Sequence, residues 1–202
     1  FCAILVAFAG TMVGLVLADD MMLMFMFWEL TTVFSYLFIG HYFDRKPSRR
    51  AAMQAIIVTT AGGLAMLVGI VILGLKSPTG FSLSGLLSSP PEGTAVTAAV
   101  VCLIIGAASK SALIPTHFWL PGAMAAPTPV SAYLHAAAMV KAGVYLIARF
   151  APPYAHLTVW VVLILVLGCG TLLLGGYRAL RQHDLKLILA YGTVSQLGLI
   201  IL

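Results

Sequence analysis

The feature that most constrains this chain is a succession of apolar runs of about twenty residues, each long enough to cross roughly 30 Å of hydrocarbon. Short polar joints separate them. Of the 202 residues, 61% are hydrophobic and 8% charged, against about 25% charged in an ordinary soluble domain. So little polar surface does not keep a folded chain in water. The pattern is that of an all-α polytopic membrane protein with about seven transmembrane segments. We place the spans at residues 1–18, 20–40, 51–75, 95–125, 129–150, 156–177 and 186–202.

The formal net charge of +5 lies mostly in two short loops, HYFDRKPSRR (41–50) and YRALRQHDLK (177–186). Basic loops between apolar spans indicate the cytoplasmic side, so nucleic acid is not the expected partner. Parity supports this orientation. Four crossings separate the two basic loops, which returns the chain to the same face if 95–125 counts as one crossing. Asp19-Asp20 is expected to make a tight turn, 76–93 a longer Pro/Gly/Ser loop, and APPY (151–154) another turn. Cys2, Cys102 and Cys169 lie in or beside apolar spans with no metal-ligand spacing, and read as buried, inert thiols. The chain starts without methionine and stops inside an apolar span, so a piece of a longer protein is expected.

One span is unlike the rest. From Ala95 to Ala125 is 31 residues, about 46 Å as a continuous helix, which overshoots a bilayer. Within it stands SKSALIPTHFWLP (109–121). Pro115 lacks an N–H and clashes with the preceding turn, so two half-helices with an unwound joint are expected, with Lys110 near the midpoint. Irregular backbone at that depth is tolerated only against protein or a water-filled cavity. Discontinuous helices of this kind mark ion or substrate sites in transporters.

The ionisable residues in the spans carry the functional reading. Glu29 is the ninth residue of the apolar run 21–40, near the bilayer centre. A carboxyl there costs about 3 kcal/mol and needs a partner, a proton or water; a protonated acid serving only packing is the alternative. Lys110 is the natural counter-charge, with a lysine that snorkels to the interface as the alternative. His117 titrates near neutrality but stands beyond the proline, beside Trp119, where an interfacial anchor is an equal reading. His135 and Lys141 occupy the inner part of the next span, about 120° apart on a regular helix, and both border a possible polar axis. Thr128, Ser131 and Tyr133 are candidates to hold water, though hydroxyls in membrane helices more often serve packing. Asp184 and Lys186 read as anchors at a helix start, Ser195 and Gln196 as packing contacts. No ATP-binding loop, zinc motif, haem motif or dinucleotide fingerprint occurs. No cofactor or metal is expected, nor catalytic chemistry beyond moving ions.

At three places the residues resemble a known family. FWELTTVFSYLFIG, ASKSALIPTHFWLPGAMAAPTPVSAYLHAAAMVKAGVYLIAR and DLKLILAYGTVSQLG look like the antiporter-like subunits. These include the large proton-pumping membrane subunits of respiratory complex I and the A and D subunits of Mrp-type sodium/proton antiporters. The resemblance covers nearly the whole chain. It implies a fold of about fourteen helices built from inverted repeats, with 1–150 as the first five-helix repeat and 151–202 as the start of the second. The family's broken-helix lysine falls on Lys110, its paired glutamate on Glu29 and its relay histidine on His135. His117 and Lys141 are most like the Mrp-type A subunit. Pro115, Pro127 and Pro129 are the helix-breaking positions. Gly122 departs from the pattern, standing where relatives usually carry an acid.

The resemblance thus implies one component of a membrane antiporter complex at the cell membrane, with other subunits as partners and protons and sodium as the transported ions. A proton-pumping subunit of complex I or a related hydrogenase is the alternative. A scaffold that transports nothing is a weaker one.

Overall fold

A computed structural model describes residues 2–202, with backbone alone at 135–137. The order of helices is α1 (Cys2–Leu17), α2 (Met21–Ile39), α3 (Lys46–Lys76), the short α4 (Leu83–Ser88), α5 (Thr94–Lys110), the one-turn α6 (Trp119–Gly122) and α7 (Thr128–Ser131), then α8 (Lys141–Tyr154), α9 (Thr158–Leu180) and α10 (Leu185–Ile201). The chain is all-helical among the described residues. By length and composition α2, α3 and α9 can cross a membrane, and α1, α5 and α10 are shorter apolar helices.

Local chemistry sets several boundaries. Asp20 caps α2, accepting from the backbone N–H of Met22 at 2.8 Å and Leu23 at 2.9 Å, which satisfies two donors no helix can satisfy for itself. Asp184 caps α10 through the N–H of Lys186, as an anchor should. α3 begins at Lys46, earlier than the span expected from 51. Pro47 stands in its first turn, where a missing N–H loses nothing, so the basic stretch is half loop and half helix. The turn expected at APPY is instead the last turn of α8, with Pro152 and Pro153 inside the helix. The chain turns only after the helix, at 155–157.

Glycines let the main helices approach closely. A Cβ on Gly69 of α3 would stand 2.7 Å from the Ala99 carbonyl of α5, and one on Gly106 would stand 2.6 Å from the Met66 Cβ. The same device joins α9 to α10, where Gly198 faces the backbone of Gly168 and Leu172. Small residues are what lets membrane helices gain packing contacts, since lipid tails give no hydrophobic push between helices.

Many large apolar side chains point outward, among them Val6, Leu17, Leu75 and Leu180. Cys2 and Cys169 are exposed and Cys102 partly so; this corrects the expectation of buried thiols. In a bilayer an outward-facing apolar stripe meets lipid rather than water, so a small apolar thiol suits that face too.

The bundle has two distinct ends. At one, the Asp19 carboxylate accepts from the backbone and hydroxyl of Ser84 and the hydroxyl of Ser82. This fastens the α1–α2 turn to the loop before α5. At the other end lie the connections 40–45 and 181–184, flanked by Lys46, Arg49 and Arg50 of α3, Arg178 of α9 and Lys186 of α10.

Candidate functional site

The expected interruption is present, and it begins at Lys110. α5 ends on that residue, and Ala112 takes φ +51, a left-handed conformation costing an L-residue about 1 kcal/mol. Beyond the cis Ile114–Pro115 bond the second half is no regular half-helix. It is a 3-10 turn (Thr116–Phe118), α6, and another 3-10 turn (Ala123–Ala125). Pro115, Pro121 and Pro127 each remove a backbone donor, so no longer helix forms there.

Lys110 is completely buried, the largest charged group to be so. Its ammonium donates to the Trp28 carbonyl at 2.6 Å, Thr31 Oγ1 at 2.6 Å and Thr32 Oγ1 at 2.8 Å. The charge also lies 4.7 Å from the centre of the Trp28 ring, within cation–π range. An ammonium has three donors, and all three are used. They meet α2 at the eighth, eleventh and twelfth of its 19 residues, the middle of that helix. Trp28, Thr31 and Thr32 lie within one turn, so a single helix face supplies the whole cage. All of the ammonium's hydrogen bonds go to uncharged oxygens.

Glu29 sits one residue from this cage but outside it. Among the described residues it forms no ion pair with Lys110. Its Oε1 is buried and without a hydrogen-bond partner, lying against Gly63 of α3, where an added Cβ would collide with it. A Cβ on neighbouring Gly62 would collide with the Ser109 hydroxyl. The Gly62-Gly63 step therefore underlies both sides of the site. The Trp28 indole Nε1 is a second buried, unbonded group, within 3.6 Å of the same Gly63 position.

The joint is tied on several sides. The Trp119 indole donates to the Ser109 carbonyl at 2.9 Å, and the Thr116 hydroxyl bonds to the Ala108 and Leu113 carbonyls. The Ser111 hydroxyl donates to the Val140 carbonyl at 2.7 Å, the residue before Lys141.

His117 stands apart from that level. It is buried, with Nε2 3.3 Å from Arg178 Nη1 in the last turn of α9. Arginine only donates, so Nε2 accepts and the ring proton sits on Nδ1, which is buried and unbonded. His117 thus lies between the joint and the end of the bundle that carries the basic loops, and not on the level of Lys110.

Lys141 opens α8 after a π-helical stretch (Ala132–Ala137). That irregular stretch replaces the regular helix behind the expected 120° separation. Lys141 is half-buried and borders a groove of about 440 Å³ beside Met12 and Val16 of α1, and its ammonium makes no hydrogen bond or ion pair among the described residues. The His135 side chain lies outside the described residues. Pro127 and Pro129 bracket the start of α7.

Sequence reasoning missed the cage threonines, the glycine step and Arg178. The adjacent Thr31-Thr32 follow Glu29 in an apolar run and were legible as polar neighbours. Two consecutive glycines inside a helix, each costing about 1 kcal/mol, also signal a packing demand. Arg178 was hidden by its place in a basic cluster.

Known proteins share this architecture. The family model described as "NADH:quinone oxidoreductase/Mrp antiporter, TM" matches residues 18–202. The A/B subunit of a probable K(+)/H(+) antiporter of Rhizobium meliloti (strain 1021) is 47% identical over 99% of this chain and 20% of its own length. The A subunit of the Na(+)/H(+) antiporter of Bacillus subtilis (strain 168) is 44% identical over 100% of this chain and 25% of its own. The chain therefore spans a fifth to a quarter of these relatives. Among solved structures, the Mrp complex from Dietzia sp. DQ12-45-1b superposes with a TM-score of 0.89 at 40% identity, over 96% of this chain and 22% of that one. An archaeal respiratory membrane complex, the membrane-bound sulfane sulfur reductase, gives 0.83 at 25% identity, over 95% and 40%. With a family model covering nearly all of its residues, the chain belongs to the NADH:quinone oxidoreductase/Mrp antiporter transmembrane family.

Proposed function

We propose that this chain forms the first half-channel of the proton-translocating A-type component of a multi-subunit monovalent cation/proton antiporter. Lys110 is its switchable proton carrier. The carrying observation is the cage: a fully buried lysine at a helix break, holding three hydrogen bonds to uncharged groups beside a buried carboxyl oxygen, Glu29 Oε1, that has no partner among the described residues.

The chemistry follows from donor counts. An ammonium serves all three cage oxygens, whereas an amine has two N–H groups and leaves one oxygen unserved. Glu29, one residue from the Trp28 carbonyl that Lys110 binds, is the group whose charge biases this balance. Movement of the carboxyl toward the ammonium favours holding the proton, and movement toward α3 favours releasing it. His117, between the joint and the basic end, serves as the connection from that side to Lys110. Lys141, linked to the joint through Ser111 and Val140, carries the proton onward, with His135 on the same span.

In this reading seven crossings run through α1, α2, α3, α5 with α6, α7 with α8, α9, and α10. Residues 1–150 form the first inverted repeat and 151–202 open the second. The basic loops face the cytoplasm at the cell membrane. Sodium is the coupled ion, its efflux shared with partner subunits. The likeness to a respiratory complex supports a redox-driven proton pump as the second reading. The higher identity to antiporter subunits favours the first.

The test is proton movement in inverted vesicles holding the full-length parent with all its partner subunits. Sodium added after a proton gradient is established should collapse it in the wild type and not in Lys110→Ala at equal assembly. Undiminished transport by that variant would refute the proposal. A gradient indifferent to sodium but built by a reductant would move the protein to the redox-driven class.

A further inference from the structure

Breaking a helix frees backbone donors that have to be satisfied elsewhere. At this break the freed N–H of Ile114 is bonded not by its own segment but by a side chain from another helix. Thr171 Oγ1 of α9 accepts it at 2.9 Å. The same hydroxyl donates its proton to the Leu167 carbonyl one turn earlier. Its hydrogen is thereby committed, and its lone pair faces the joint in a fixed direction. Thr171 is completely buried and is the fourteenth residue of the 23 in α9, the middle of that helix.

Two turns further along, Arg178 meets the same segment at His117. Seven residues on an α-helix return to nearly the same face, so one stripe of α9 holds the interrupted segment on both sides of Pro115. Between those two contacts runs the stretch with no regular helix to support it. The left-handed Ala112 lies two residues from Lys110, so the path from Ile114 back to the ammonium is a single strained turn. Such a conformation persists only where its surroundings enforce it.

We propose that Thr171 is a positioning residue for proton translocation. By accepting the Ile114 N–H it fixes the joint, and so keeps the Lys110 ammonium within reach of its cage on α2. Thr171 touches neither the ammonium nor the proton it carries. The inference rests on Lys110 being the carrier, and it makes α9, the first helix after the proposed repeat boundary, part of the machinery of the half-channel before it.

The experiment uses the full-length parent protein in complex with all its partners in inverted vesicles, with sodium as the added ion and a pH-sensitive dye as readout. Thr171→Val keeps the volume and removes the acceptor; Thr171→Ser keeps the acceptor. At equal amounts of assembled complex, the valine variant should lose on the order of tenfold in initial rate, with the sodium concentration for half-maximal rate unchanged, and the serine variant should regain most of it. Hydrogen exchange on a peptide spanning 111–118 should quicken in the valine variant and not in the serine one. A valine variant with wild-type rate overturns the inference, as does a serine variant as impaired as valine. If the valine variant is not recovered in the complex, Thr171→Cys decides, since its sulfur is a weaker acceptor of similar volume. An intermediate rate supports the inference, and a full rate overturns it. Lys110→Ala runs alongside. If that variant transports normally, the carrier reading fails. If it is dead while Thr171→Val is normal, only the role of Thr171 fails.

Discussion

Two lysines lie inside the apolar spans, and the protein treats them differently. Lys110 has no exposed surface and spends every donor on α2. Lys141 is half-buried at the rim of a groove, and its ammonium bonds to nothing among the described residues. The backbone around each differs in the same sense. The joint beside Lys110 is tied to α6, to α9 and to the turn before α8, whereas Lys141 follows a π-helical stretch whose ring of bonds is wider than an α-helix provides. A charge enclosed by a preformed cage is held in one place, and a charge at a rim is available to whatever approaches it. The contrast suits a carrier and its onward acceptor.

The cage is the place to break the comparison most severely. Replacing Thr31 and Thr32 together by valine removes two hydrogen bonds to a buried charge, each worth about 1.5–3 kcal/mol. The assembled complex should unfold at a clearly lower temperature, and sodium-triggered proton movement should fall on the order of tenfold or more. If stability and rate both survive, the cage does not hold Lys110. Lys141→Ala removes the same formal charge from the rim. Having no bond to lose, it should shift stability by no more than about 0.5 kcal/mol while still slowing transport. A stability loss as large as that of the double valine variant would mean Lys141 is held after all.

The smallest effect belongs far from both lysines. Hydrogen bonds from the Ser84 hydroxyl and backbone hold the Asp19 carboxyl below its ordinary value. A carboxylate lowered in the folded state stabilises it above its unfolded pKa, and that contribution fades as pH falls through the folded value. The fastening of the α1–α2 turn to the 82–84 segment should therefore loosen only in acid. Asp19→Asn should show the loosened state at every pH, with transport unchanged at neutral pH. Hydrogen exchange across 80–86 measures it, and a pH-independent wild type would contradict it.

Much of the fold was legible because apolar run length and proline chemistry act locally. The interruption at Lys110 and the anchor at Asp184 follow from residues adjacent in the chain, and Asp19-Asp20, read as a turn, also supplies the cap of α2. Helix ends were less legible. Pro47 begins a helix, where no donor is needed, whereas Pro152-Pro153 stand in the last turn of one. The site was half legible. Glu29 and Lys110 stand out as charges in apolar runs, but their relation does not. That Lys110 meets hydroxyls and Glu29 meets Gly63 depends on how α2, α3 and α5 cross. His117, which the sequence leaves between a relay and an interfacial anchor, is carried by the irregular turns after Pro115 to Arg178, 61 residues away in sequence.

The central claim is that Lys110 works by losing and regaining a proton, and not merely by being positive. Arginine keeps the charge and does not give up its proton in proteins. The direct measurement is the initial rate of sodium-triggered proton movement by the assembled complex carrying Lys110→Arg, normalised to the complex present in the vesicles. Normal assembly with no proton movement is the expected result. An arginine variant that moves protons at the wild-type rate would show that a fixed charge suffices, and the carrier role would be wrong.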